Sequence, residues 1–446
     1  MTKEQIIKKA KEHEVDLIRF VYIDNDGVIR GYSTTSEELE GDLDLGHPFA
    51  VAMPFFSVLD DLPPGTRFGC VGEIIGLPDT QTFRILPYAP HAAMLICDFV
   101  EKADHSATGL CARSLLKKFL SSMEFEVRAA FENEFYLLKR DASGSLQPFD
   151  QSLCFATGGM NQQHAVVLDI IRALKAQGLR VEKYYPEYGS GQVEIVYRYA
   201  DALRTADNQI FFRETCRGVA QQHELTASFM PKPFQHLAGS GAHLHLSLWK
   251  EDQNLFYDGS AEKGLSDTGR YFIGGILKHI KALCCFTAST VNSYKRLVPH
   301  SWASAYTCWG FDNREAAVRA ITGMKGREAP SFNIEFKPVD PACNPYLAIL
   351  TVLAAGMDGV RNKIEPGEAV DMDPHDLTPG EKQARGIGRL PETLGQAIEA
   401  LKNDAFFPEI LGRVFFEEYL ALKRFAWTEY IRHISAWEME TYVEAF

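Results

Sequence analysis

The 446-residue chain is predicted to fold as an α+β protein of two domains. Three observations carry that expectation. Strand-like and helix-like segments follow one another in mixed order, without the regular strand–helix–strand alternation of a parallel sheet. The length exceeds the roughly 250–300 residues at which one hydrophobic core stops growing. A polar stretch at residues 101–109 separates an apolar strand from an amphipathic helix, and the domains are expected to span residues 1–104 and 105–446.

Along the chain, residues 6–11 have helical character, and residues 15–23, VDLIRFVYI, form a β-branched and aromatic run. That run stops at Asp24-Asn25-Asp26-Gly27, and an Asp-Gly turn followed by Val28-Ile29-Arg30 predicts a hairpin. Proline, glycine and aspartate crowd residues 58–66 as in a loop, whereas residues 93–99, AMLICDF, read as a buried strand. In the second domain a helix is expected over 110–123 and a strand over 127–138. Helical periodicity at 199–224 leads to a strand at 226–230, which Pro231 and Pro233 terminate. The strands of this domain look antiparallel.

Hydrophobic residues make up 46% and charged residues 24% of the chain, which excludes a mainly disordered state. The 46 Lys+Arg against 59 Asp+Glu leave a net charge of −13, which disfavours a nucleic-acid partner. The N-terminal residues are charged and amphipathic rather than a signal segment, and the most apolar run, 346–356, is too short for the ~20 residues of a bilayer span. No membrane association is expected. Nine cysteines lie at irregular spacing without a C-x-x-C pair, as suits reduced thiols of a cytoplasmic protein.

Chemistry concentrates in a few motifs. Glu132 and Glu134 in FENEF share one strand face, because alternate side chains point the same way, and two like charges side by side call for a cation. Glu187 and Glu194 bracket a glycine-rich loop able to bring two carboxylates around one ion. His243 and His245 in GSGAHLHLSL share a strand face, and Glu335 lies in NIEFKP. Arg296, Arg314 and Arg319 supply guanidinium forks suited to carboxylate and phosphate oxygens. Each motif alone is more commonly an exposed strand edge, a glycine turn, a satisfied histidine pair or a surface ion pair. Together they point to metal-dependent phosphoryl transfer, with oxygen-rich ligation favouring Mg²⁺ or Mn²⁺ over zinc.

The segments FENEFYLL, EYGSGQVEI, GSGAHLHLSLW, YKRLVP, DNREAAVR, NIEFKPVDPACNPYLA and EPGEAVDMDPHDLTP, in that order, resemble the glutamine synthetase family along almost the full chain. The resemblance implies a small N-terminal β-grasp domain and a catalytic domain whose antiparallel strands form a funnel holding two divalent cations. Glu134, Glu187 and Glu194 would hold the cation on the glutamate side, and Glu132, His243 and Glu335 the one on the ATP side. His245 and Ser247 would face the nucleotide, Gly239 and Arg296 the glutamate, and Arg314 and Arg319 the transferring phosphoryl group and ATP. The implied reaction moves the γ-phosphoryl of ATP onto the glutamate side-chain carboxylate, after which an amine displaces phosphate. The resemblance also implies a double-ring dodecamer.

Departures from the family pattern cluster where substrates bind. The flap glutamate that attracts ammonium falls on Trp302, whose indole can instead sit over an alkylammonium or line an apolar pocket. Lys337 stands in place of an arginine for the substrate carboxylate, Asn333 in place of an arginine near ATP, and Ala238 in place of an asparagine that touches glutamate. The aspartate serving the ammonium site has no clear counterpart, with Asp60 and Asp61 nearest. His375 occupies the position of the tyrosine that many bacterial relatives adenylylate. These departures, and the Trp302, Tyr306, Trp309, Gly310 wording, resemble the branch containing γ-glutamyl-amine ligases. The expected activity is an ATP-dependent γ-glutamyl amide ligase acting on glutamate and a small amine, with glutamine synthetase proper, using ammonia, as the alternative.

Overall fold

The computed structural model covers all 446 residues and contains two sheets. The first comprises β1 (Leu17–Ile23), β2 (Ile29–Thr35), β3 (His47–Ala50), β4 (Glu73–Pro78), β5 (Arg84–Ile85) and β6 (Ala92–Glu101). Its order is β2-β1-β6-β4-β3, with β5 also paired to β6 and only β1 and β6 parallel. The Asp-Gly hairpin forms as the sequence predicts: Ile23 pairs with Ile29, and Asp24 Oδ1 accepts from the Asp26 and Val28 amides at 3.0 and 2.9 Å. Residues 101–109 fold back onto β6, where Val100 bridges Ala107.

The second sheet contains β7 (Glu126–Arg140), β8 (Leu146–Pro148), β9 (Val181–Pro186), β10 (Gln192–Tyr197), β11 (Ala200–Asp201), β12 (Thr226–Ser228), β13 (Ala242–Lys250), β14 (Gln253–Asn254), β15 (Trp309–Phe311), β16 (Val318–Ile321) and β17 (Asn333–Phe336). Its path is β15-β16-β17-β13-β7-β10-β9, antiparallel except for the β15–β16 pair. The helix predicted at 110–123 spans Ala112–Ser121, and the one predicted at 199–224 spans Ala202–Gln222 after the short β11.

β7 positions everything that follows. Val127, Ala129, Phe131, Phe135 and Leu137 are buried on the face that meets helix Ala202–Gln222 and belong to the main core. Asn133 interrupts this apolar row and is satisfied by Gln209 of that helix, which in turn accepts from the Tyr197 hydroxyl at 2.9 Å. A buried amide without such partners would be costly. Between the domains, buried Arg113 reaches Asp79, Asp98 and Asp207, each at 2.9 Å.

Candidate active site

Cross-strand partners share a sheet face, so the register alone aligns a row of ionisable groups. Glu194 on β10 pairs with Glu134 on β7, Glu132 with His243 on β13, His245 with Glu335 on β17, and Glu335 with Arg319 on β16. Residues two apart on one strand also share a face. Glu132 with Glu134, His243 with His245 and Glu335 with Lys337 therefore all join this row. Apolar residues of β7 occupy the opposite face, so the same alternation that builds the core builds the site.

Within the row, single donor atoms of Glu132, His245 and Glu335 lie within 4.8 Å of one another. His245 Nε2 is 3.5 Å from Glu132 Oε2, and its Nδ1 is 2.8 Å from Asn333 Oδ1. His243, expected with Glu132 and Glu335, sits beside that trio: its Nδ1 is 3.3 Å from Glu335 Oε1 and its Nε2 is 4.0 Å from Glu134 Oε1. Glu134 accepts from the Gly241 amide at 2.8 Å and from Gln192 Nε2 at 3.3 Å. Glu194 accepts from the Tyr185 hydroxyl, and Glu187 from the Tyr188 amide at 2.6 Å.

The electrostatics divide the row in two. Burial, reinforced by Glu187, pushes the Glu134 carboxyl up to about 7, and burial with Glu132 and Glu134 nearby holds Glu194 well above the usual carboxylate range. Burial also raises Glu187, although the Tyr188 amide and the Arg314 guanidinium oppose it. On the other side, burial alone would raise Glu132 and Glu335, but His245 for the first and Lys337 with His245 for the second bring both to about 2. Burial opposes charge on His245, and Glu132 outweighs it to set that imidazole at about 9. Burial and Lys337 keep His243 well below its ordinary value. Three carboxylates crowded together with few cations are a donor set that fits divalent cations.

Cationic groups border the acids. Arg319 Nη1 is 3.2 Å and Lys337 Nζ 3.4 Å from opposite oxygens of Glu335. Arg296 is buried, donates to the Val339 carbonyl at 3.0 Å and leaves its Nε unpartnered. A Cβ on Gly239 would lie 2.4 Å from Arg296 Cγ, and one on Gly241 2.7 Å from His243 Nε2, so both positions need glycine for close approach. Arg314 is exposed, and Ser247 Oγ accepts from Trp249 Nε1 at 2.8 Å.

Trp302 lies on a loop in which His300, Trp302 and Ser304 all have left-handed backbones, with φ of 56°, 54° and 72°. The residue is 65% exposed, and its amide donates to Glu315 Oε1 at 2.7 Å. Asp60 pairs with Arg30 at 2.7 Å within the small domain. His375 Nδ1 is 3.1 Å from the Tyr306 hydroxyl. Sequence reasoning overlooked Tyr185, Gln192 and Glu315. Tyr185 is detectable only once the β9–β10 register opposes it to Glu194, and Gln192 only by its place two residues before Glu194 on the same face.

Comparisons with known proteins bear on the fold and the family. Residues 109–442 match the glutamine synthetase catalytic domain and residues 1–109 the glutamine synthetase N-terminal domain. A glutamine synthetase of Thermococcus kodakarensis is 35% identical over 455 residues, covering 98% of this chain and 98% of that protein. One of Methanosarcina mazei is 35% identical over 450 residues, covering 99% and 98%. Among solved structures, a GmaS/ADP complex gives a TM-score of 0.85 at 29% identity, covering 98% of this chain and 99% of that chain. GmaS without ligand gives 0.84 at 30% identity, covering 98% and 99%. No helix of the chain is long and apolar enough to cross a membrane.

Proposed function

The chain belongs to the glutamine synthetase family, whose members are ADP-forming carbon–nitrogen ligases, and on that premise we propose that it joins the γ-carboxylate of glutamate to a small organic amine. Family members use ATP with divalent metals and typically form oligomers. For this chain we infer Mg²⁺ or Mn²⁺, a double-ring dodecamer and a cytoplasmic location.

The observation that carries the amine reading is Trp302, an exposed indole on the flap loop at the position where an ammonium-capturing glutamate is expected. The likeness to the two GmaS structures supports γ-glutamyl amide formation as well. The glutamine synthetase names of the sequence relatives favour ammonia instead, and that is the second reading.

In the proposed reaction a glutamate carboxylate oxygen attacks the γ-phosphorus of ATP, ADP leaves, and the amine nitrogen then attacks the acyl carbon and displaces phosphate. Bound divalent cations, held by Glu134, Glu187 and Glu194 on one side and by Glu132, His243 and Glu335 on the other, would neutralise the transferring charge. His245 lies among the second group's donors and is assigned with Ser247 to the nucleotide. Arg314 and Arg319 meet the phosphoryl oxygens, while Arg296, Gly239 and Lys337 orient glutamate. Trp302 offers its indole to the alkyl part of the amine.

The test is phosphate release from ATP with glutamate and Mg²⁺ or Mn²⁺, comparing ammonia with methylamine, ethanolamine, isopropylamine and a polyamine, with mass spectrometry of the product. Preference for an organic amine supports the proposal. Preference for ammonia establishes the second reading in its place.

A further inference from the structure

A carboxylate able to take a proton from the incoming amine is missing from the flap itself, because Trp302 offers none. The fold brings one to that loop from another part of the chain. Glu315 is 8% exposed, and its Oε1 accepts from the Trp302 amide at 2.7 Å. The same turn holds the loop a second time, through Ser304 Oγ donating to the Ala316 carbonyl at 2.9 Å. Glu315 directly follows Arg314, whose guanidinium acts on the Glu187 carboxylate, and Glu315 itself feels the Lys337 ammonium that borders Glu335. Only one of its two oxygens is engaged by the loop.

We propose that Glu315 is the general base of the amide-forming step, standing in for the acid that the flap lacks at position 302. This rests on the amide-ligase reading above. In the step, an ammonium or alkylammonium loses one proton to the free Glu315 oxygen. The neutral nitrogen lone pair forms the bond to the acyl carbon, the carbon–oxygen bond to phosphate breaks with its electron pair going to phosphate, and the second nitrogen proton passes to the departing phosphate, leaving a neutral amide. Burial raises the Glu315 carboxyl from its ordinary value, opposed by the Trp302 amide and reinforced by the Asp373 carboxylate, with Lys337 and His300 as the nearby cations. A raised carboxylate is better matched to taking a proton near neutral pH.

The test uses the full-length protein with ATP, glutamate and Mg²⁺, and compares methylamine, ammonia and hydroxylamine at neutral pH. Alkylamines and ammonia are cations there and must be deprotonated, whereas hydroxylamine is largely neutral and needs no base before it attacks. Glu315→Gln keeps an acceptor for the Trp302 amide but cannot take a proton. It is expected to lose about a hundredfold in kcat/KM with methylamine and ammonia, and only about threefold with hydroxylamine. Glu315→Asp, which keeps the charge one methylene further back, is expected to recover part of the loss.

Equal losses with all three nucleophiles would show that Glu315 only anchors the flap, and no loss would show that it does neither; both overturn the assignment. Thermal midpoints and amine-independent, glutamate-dependent ADP formation identify a variant that has merely misfolded, in which case the Glu315→Asp comparison decides. Wild-type protein that forms no amide with any nucleophile overturns the amide-ligase reading itself and this assignment with it, an outcome recognisable without any variant.

Discussion

The two sheets use the same alternation of side chains to opposite ends. In β6 of the small domain, Ala93, Leu95 and Cys97 enter the small domain's own core, while Ala92, Met94 and Ile96 enter the core shared with the large domain. Both faces are apolar, so the strand reads as one uninterrupted hydrophobic run. In β7 one face is equally apolar, but the other carries Glu132 and Glu134 toward the histidines of β13. The charges differ in the same way. Between the domains Arg113 is matched by three aspartates, and Lys117 adds a second cation at 2.5 Å from Asp98. In the site Glu134, Glu187 and Glu194 crowd together with few cations. One set of charges is compensated where the domains meet, and the other is left short of cations, as the proposed ion site requires.

The largest effect should come from the shared face of β7. Phe131 is fully buried beside Glu132, and Phe131→Ala is expected to cost about 3–5 kcal/mol of stability by chemical denaturation. A loss under about 1 kcal/mol would mean that the site face, and not the core face, holds this strand in place.

Next in size is a change on the polar face. Glu194→Gln keeps an acceptor for Tyr185 but removes one of the crowded charges. Activity should fall by about 10²–10³-fold, while the metal-free variant, measured in a chelator, should melt no lower than wild type. A parallel drop in stability would show that Glu194 serves packing after all.

The same contrast can be read through metal. Addition of Mg²⁺ or Mn²⁺ at about a hundred times its dissociation constant should stabilise wild type by about 2.7 kcal/mol, and Glu194→Gln by clearly less. No metal-dependent shift in the thermal midpoint of wild type would remove the explanation given for the acid cluster.

Much of this difference is legible in the sequence. FENEF and AHLHL declare their polar face because acid and histidine recur every second residue, and AMLICDF declares a two-sided burial by having no such recurrence. The segments with strict period-2 or helical patterning lie within a few residues of where they are expected. What the sequence does not carry is the pairing between distant strands. The register that gathers His245 with Glu132 and Glu335 depends on strands 90 residues apart or more, and on Asn333 engaging the imidazole through Nδ1. The flap is illegible for another reason. His300, Trp302 and Ser304 take left-handed backbones that their residue types disfavour, and tertiary contacts such as the Trp302–Glu315 hydrogen bond impose that conformation.

The smallest effect concerns the compensated charges between the domains. Burial alone would raise the Asp79 carboxyl, but Arg113 and Lys117 more than reverse this and hold it at about 2, against an unfolded value near 3.8. A depressed carboxylate adds stability wherever the unfolded chain would already be ionised. The Asp79 contribution should therefore be complete above about pH 4 and disappear as pH falls toward 2. Asp79→Asn should flatten the dependence of unfolding free energy on pH within that window and leave its shape near neutrality unchanged. A slope unaltered between pH 4 and 2 would mean that Asp98 and Asp207 satisfy Arg113 without it, and that the third carboxylate is held at the domain boundary by geometry rather than by charge.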